Sequence, residues 1–354
     1  KFTSRSRALA NDGFIVYDIQ DEPGRAANNT ANAKRPFPFR KLMDSSSYAS
    51  LLARSGGKPC LVYKCVADAN FEDWIETAER DHGHSAINLV GRPTSDGEYA
   101  GPTAAEAMDI CAERRVTSRL RFGCICIAER HTLECARQRG KTYPTEHLNM
   151  FRKQAAGADW FVSQAVYDPE PTVRLLKDYA AVCRERGVTP KKVILTFLPV
   201  SRKKTMEFVK WLGVIVPPDA EEKILGANSP VDESVDFLCH VLTTILDECR
   251  GVGIPLGVNC ESVSIYKAEI DGVHELFRRL QGILLDARGS PWKVHWIEVM
   301  PPAGEECEED EIKTNAVVQR DHTEREVLRA GLQGVVLGGV MVAVGVMLGG
   351  RKTR

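Results

Sequence analysis

Apolar and polar positions along this chain alternate between short continuous apolar runs and longer stretches with helical spacing. The clearest unit is 145–168, TEHLNMFRKQAAGADWFVSQAVYD. Leu148, Phe151, Ala155 and Ala156 recur at helical spacing, Gly157 closes the helix, and Trp160-Phe161-Val162 is a buried strand ending in polar Ser163 and Gln164. The same pattern predicts strands at 13–17, 59–66, 86–90, 122–128, 193–198 and 254–260, separated by helices over 48–55, 70–80, 103–115, 170–186, 201–213, 232–249 and 264–286. A long loop at 26–47, with RPFPFR at its middle, follows the first strand, and 1–10 has the look of a helix end. Repeated βα units imply a parallel sheet with right-handed crossovers, so the expected fold is α/β, a (β/α)₈ TIM-type barrel. Seven strands are visible where eight close a barrel. Residues 294–299 supply the eighth, or it lies upstream of Lys1, or the barrel is open; the helix-like start favours the upstream option, in a chain already processed or incomplete at its beginning.

Beyond Pro301-Pro302 the pattern changes. The expected organisation is a barrel over 1–300, an acidic linker and juxtamembrane helix over 301–329, an apolar segment over 330–350 and a basic tail at 351–354. AGLQGVVLGGVMVAVGVMLGG carries no charge over about 20 positions, the length of a membrane-crossing helix, and its glycines at small-xxx-small spacing suit a packed partner helix. The predicted partners are therefore the lipid bilayer and other membrane subunits, the single-pass anchor being C-terminal.

The chain has 354 residues, 47 basic and 48 acidic, so its net charge of −1 sets no field for nucleic acid. Its 11 cysteines lie mostly on apolar segments without a CxxC pair, which reads as buried reduced thiols. His82-Gly83-His84 reads as a solvated loop, and no cluster with metal-ligand spacing stands out, so no metal is expected. Neither a GxGxxG nor a P-loop follows any strand.

In a parallel barrel the strand carboxyl ends face the ligand. Asp18, Glu22, Lys64, Arg92, Glu129, Arg130, His131, Gln164, Tyr167, Asp168 and Glu261 all fall at or just past such ends, and mixed charge there suits a polar anionic ligand such as a folate or nucleotide. Two blander readings stand beside this one. Gln164 could simply satisfy a buried backbone group, and the charges could form a salt-bridged rim.

Three stretches carry a resemblance: GADWFVSQAVYD, VILTFLPVSRKKTMEFVKWLGVIVP and GIPLGVNCESVSIYKAEIDGVHELFRRL. Together they look like the methylenetetrahydrofolate reductase family over residues 12–298, and DIQDEPGR, AERH and EHLNMFRKQ resemble a divergent branch of it. The resemblance implies a barrel that binds a flavin (FAD), then NAD(P)H and a folate in turn, and reduces a folate-bound one-carbon unit. It makes Gln164 a folate contact, Lys153, Asp18 and His131 cofactor-side residues, and Lys267 a basic residue near the folate tail. The family's catalytic glutamate segment has no counterpart here, so the catalytic residue is unknown. Val90-Gly91-Arg92 stands where the family places Arg-Gly-Asp beside the flavin, and Lys203 replaces a folate-side aromatic. Those departures open the alternative of a degenerate barrel serving as an accessory subunit of a large respiratory-type complex. The location expected on either reading is the mitochondrial inner membrane.

Overall fold

The computed structural model describes residues 11, 13–18, 36, 42–91, 99–117, 120–287 and 342–346. Seven strands run parallel in sequence order: β1 (Gly13–Val16), β2 (Cys60–Cys65), β3 (Ala86–Val90), β4 (Arg121–Cys126), β5 (Trp160–Ala165), β6 (Lys192–Phe197) and β7 (Leu256–Ser262). Between them lie α1 (Ser45–Gly56), α2 (Phe71–Arg80), α3 (Ala104–Thr117), α4 (Leu133–Gln138), α5 (Glu146–Ala155), α6 (Pro169–Glu185), α7 (Lys203–Trp211), α8 (Pro218–Gly226) and α9 (Pro230–Glu248), and α10 (Lys267–Asp286) follows β7. The TIM-like α/β architecture expected from the apolar runs is what forms. Such strands are covered on both faces, which is why β2 is buried at every position and β5 at all but Gln164.

Two apolar layers result. Phe161, Val193, Leu195, Val258 and Cys260 pack outward against Leu176, Tyr179, Leu238, Leu242 and Phe277 of the helices. Ile15, Leu61, Tyr63, Trp160, Val162 and Ile194 fill the barrel lumen. Local signals set the element ends: Gly157 at φ 104° follows α5, and Asp168 caps α6, its Oδ1 accepting from the Glu170 N–H at 3.0 Å ahead of a helix that begins with Pro169. Between the helices expected over 201–213 and 232–249 the chain also forms α8, and α4 lies where the spacing predicts no helix.

The eighth strand comes from neither expected source. Val342–Val346 forms β8, which lies antiparallel between β1 and β7 and closes the barrel, with Phe14 opposite Val344 on one side and Cys260 opposite Val344 on the other. The sequence pattern places these five residues inside a membrane-crossing helix, and the structure corrects that. A gap between β1 and β7 offers two rows of unpaired backbone groups, and the three β-branched valines of VAVGV suit an extended strand. Among the described residues no helix is long and apolar enough to cross a membrane. The rest of 330–350, the linker at 301–329, the segment 294–299 and the basic tail lie outside the described residues. Since Val344 pairs on both sides, Val344→Pro is expected to lower stability by about 1–3 kcal/mol, read as a lower thermal midpoint. An unchanged midpoint would remove this strand from the barrel.

The described cysteines are all free thiols, buried apart from the half-exposed Cys135, as their apolar settings implied.

Candidate functional site

Because β1 to β7 are parallel, their carboxyl ends open on one mouth, and alternate side chains enter the lumen. Asn88 and Asn259, each at the centre of its strand, and Thr196, next to the end of β6, place polar groups there and are fully or almost fully buried. The Trp160 indole N–H donates to Asn88 Oδ1 at 3.1 Å, and Asn259 Nδ2 donates to the Tyr17 hydroxyl at 3.1 Å and to Thr196 Oγ1 at 3.2 Å. Tyr17 and Tyr63 meet edge to face with centroids 4.4 Å apart. Above them stands Glu261 near the end of β7, hydrogen-bonded to Tyr17. Burial raises its carboxyl from the usual 4.5 to about 7, the Tyr17 bond pulling the other way. Burial, and then the Glu261 charge, likewise hold the Tyr17 and Tyr63 phenols well above their ordinary range.

Three buried polar atoms of this lumen find no hydrogen-bond partner among the described residues: Glu261 Oε2, Asn259 Oδ1 and Asn88 Nδ2. Unsatisfied groups in a buried setting cost about 1–3 kcal/mol each, so a set of them in one cavity marks a place where water or a ligand supplies the missing bonds.

A second acid stands across the mouth. Glu129, in the 3₁₀ turn Ala128–Arg130 after β4, is 8% exposed, and burial, aided by the nearby Asp168, raises its carboxyl to about 7. Gln164 is half-buried at the end of β5, and its Nε2 donates to the Leu212 carbonyl at 3.3 Å. That is the backbone-satisfying role foreseen for an isolated Gln, though it leaves Oε1 available to accept.

The other expected site residues are turned to protein partners. Asp18 Oδ2 accepts from the Cys65 N–H at 2.9 Å and lies 3.8 Å from Lys64 Nζ. Lys64 is 4% exposed, packs over the Trp74 ring at 5.0 Å and pairs with Asp68 at 2.5 Å, so it belongs to the helix side of β2, whereas Tyr63 beside it fills the lumen. Lys153, on α5, donates to the Ile125 carbonyl at 2.7 Å. Tyr167 is fully buried, its hydroxyl bonded to the Leu198 carbonyl, although it feels the Glu261 charge. His131 is fully buried, with Nε2 bonded to Asp178 on α6 at 2.8 Å. Lys267 opens α10 at the surface and pairs with Asp271 one turn on. Lys203 begins α7, exposed. Arg92 and Glu22 lie outside the described residues.

The Pro199-Val200-Ser201 loop is pinned from below. Buried Glu269 accepts from the Ser201 N–H and hydroxyl, both at 2.8 Å, and from Thr205 Oγ1 at 3.2 Å, while Ser234 Oγ accepts from the Val200 N–H at 3.0 Å. Arg202 then stacks on Tyr266 at 3.8 Å, joining the loops after β6 and β7 at the mouth. The sequence pattern does not single out Asn88, Asn259, Tyr17 or Tyr63. A polar residue at the centre of an otherwise apolar strand, as in AINLV and LGVNCES, is the signal that points to the two asparagines.

No family model and no curated protein matches the sequence. Among solved structures, an uncharacterized protein from Clostridium thermocellum that binds two copies of 5-methyl-5,6,7,8-tetrahydrofolic acid is 25% identical, with a TM-score of 0.64 over 79% of this chain and 87% of that one. The carboxyl transferase domain of Rhizobium etli pyruvate carboxylase with oxalate is 11% identical over 68% of this chain and 37% of its own, and its TM-score of 0.32 supports no comparison of sites.

Proposed function

We propose that this chain binds a reduced folate carrying a one-carbon unit at the carboxyl mouth of its barrel. The observation that carries the reading is the likeness, over most of both chains, to a barrel that binds 5-methyl-5,6,7,8-tetrahydrofolic acid. The lumen chemistry supports it. A pterin presents a ring N–H and an amino group as neighbouring donors, and Glu261 Oε2 and Asn259 Oδ1 are buried acceptors lacking donors among the described residues. Gln164 Oε1 adds an acceptor at the rim.

Reduction of that one-carbon unit by NAD(P)H is the finer step within this proposal. It needs a group that holds a proton near neutrality. Glu129, raised to about 7, is a carboxyl at the mouth that does so, Glu261 being taken up by the pterin's donors. For FAD the fit is poor: Asp18, Lys64 and Lys153 are engaged with Cys65, Asp68 and Ile125 respectively, so no step through a flavin is derived.

Titrating the full chain with 5-methyltetrahydrofolate by calorimetry is expected to give saturable binding. Gln164→Ala is expected to weaken it about tenfold, the worth of one hydrogen bond. Wild-type protein that shows no heat of binding would end the proposal; equal affinity in the variant would remove Gln164 from it. NAD(P)H oxidation with 5,10-methylenetetrahydrofolate tests the reductase step separately.

A further inference from the structure

Away from the lumen, three residues distant in sequence converge beneath the loop that follows β4: His131 after the 3₁₀ turn, His147 in the first turn of α5, and Asp178 on α6. One potential ligand atom from each lies within 4.8 Å of the others. His131 and His147 meet edge to face, centroids 4.9 Å apart and planes at 73°, and His131 Nε2 lies 2.8 Å from Asp178 Oδ2. His131 is fully buried, His147 is half-buried, and Asp178 has 49% of its side chain exposed.

Their hydrogen bonding is incomplete. Nδ1 of His131 and Nδ1 of His147 are both buried without a partner among the described residues. Two imidazoles packed together, each with an unsatisfied ring nitrogen, make a poor apolar contact and a poor polar one. A cation shared with the Asp178 carboxylate would take one nitrogen of each ring, His131 giving the Nε2 that already faces Asp178.

From this geometry we infer that His131, His147 and Asp178 form a binding site for a divalent transition metal of the zinc class. Imidazole nitrogens bind such an ion at about 2.0–2.1 Å and carboxylate oxygens at about 2.0–2.2 Å, which places tetrahedral ligands about 3.3 Å apart. The 2.8 Å His131–Asp178 separation is already that close, and the exposed Asp178 side chain can follow the ion as His147 moves in. Two nitrogens and one oxygen favour zinc, cobalt or nickel over the hard cations magnesium and calcium. The solvent-facing side, beside Asp178, leaves a fourth position for water. Bound there, the ion joins the β4 loop, which carries Glu129, to α5 and α6. The site is independent of the folate reading.

Spacing along the chain could not announce it. His131 and His147 are separated by α4, and Asp178 lies beyond β5. The adjacent His82 and His84, whose spacing is more suggestive, have other partners: His82 Nδ1 bonds Ser50 Oγ at 2.8 Å and His84 Nε2 the Ser46 carbonyl at 2.9 Å.

The test titrates Zn²⁺, then Co²⁺, into the full chain after chelator treatment, against a competing chromophoric chelator. One equivalent is expected to bind, and the Co²⁺ form is expected to show visible bands of a four- or five-coordinate nitrogen–oxygen site without thiolate charge transfer. His147→Ala and Asp178→Asn, chosen because both residues reach solvent, are each expected to weaken binding about 100-fold or more with circular dichroism unchanged. His82→Ala is expected to leave affinity unchanged. Absence of stoichiometric binding, full affinity in both site variants, loss of binding in His82→Ala, or a thiolate band would each overturn the assignment. Should a site variant fail to fold, the cobalt spectrum of the wild-type chain still decides between this site and the cysteines.

Discussion

Gly123→Ala is expected to cost at least about 3 kcal/mol of stability in urea unfolding, an unusually large penalty for adding one methyl group. A Cβ on Gly123 would stand 2.0 Å from the Trp160 Nε1, 2.2 Å from its Cδ1 and 2.4 Å from its Cε2. The indole cannot retreat, since Trp160 is fully buried in the lumen and its N–H is held by Asn88 Oδ1 at 3.1 Å. Overpacking of a dense core typically costs about 1–3 kcal/mol, and pushing the ring away breaks the Asn88 bond for about 1 kcal/mol more. The same geometry predicts rescue. Combined with Trp160→Leu, which makes room, Gly123→Ala is expected to cost much less than it does alone, giving a coupling of about 2 kcal/mol in a double-mutant cycle. A wild-type midpoint for Gly123→Ala would mean that the indole does not lie on that Cα.

Gly123 also shows which features of this fold are legible in the sequence. Its place in the apolar run FGCIC is enough to set a strand, since continuous apolar runs between amphipathic helices admit little but a parallel sheet. That it faces a tryptophan from the next strand depends on register, which no local pattern encodes. The same limit explains Lys64. Its position near a strand end suggests the mouth, but strand side chains alternate, and Tyr63 rather than Lys64 points inward. Asp18 and Lys153 mislead for a related reason: a charged residue near a strand end can answer to a neighbouring backbone group as readily as to a ligand, and only the tertiary neighbours decide. Glu261 is legible because a carboxylate amid NCES on an apolar strand has few ways to be solvated. The β8 strand is hidden because glycine-rich apolar sequence satisfies the length rule for a membrane helix, and nothing local reports an open edge between β1 and β7 awaiting a partner.

Glu261→Gln is expected to stabilise the protein and damage its binding, in opposite directions and with the same pH signature. In the folded chain the Glu261 carboxyl is raised from 4.5 to about 7 by burial, so folding takes up a proton between those values. Its contribution to stability is therefore complete below about pH 4.5 and is lost as pH rises through about 7. Glu129, raised to about 7 by its own burial, adds a second loss in the same window. An amide never ionises. Glu261→Gln is accordingly expected to match wild type at pH 4 and to exceed it at pH 8 by something on the order of 3 kcal/mol, since each tenfold change in a carboxyl's proton affinity on folding is worth about 1.4 kcal/mol. Glu129 leaves a residual slope in the variant. Urea unfolding at the two pH values measures this directly, and an unchanged slope in Glu261→Gln would show that the carboxyl carries no such proton. Ligand binding runs the other way. A pterin's paired donors need the carboxylate, so tetrahydrofolate affinity in the wild type should rise through about pH 7 as the ligand takes over the role of the proton. In Glu261→Gln affinity should fall about 10- to 100-fold at pH 8, the worth of a charge-assisted hydrogen bond, and lose that pH dependence. Retaining a buried ionisable group at the cost of folding stability is intelligible only if something binds it, and the paired measurement separates a ligand from mere strain. A variant that is more stable yet binds folate as well as before would leave Glu261 a structural burden and move the binding site elsewhere on the mouth.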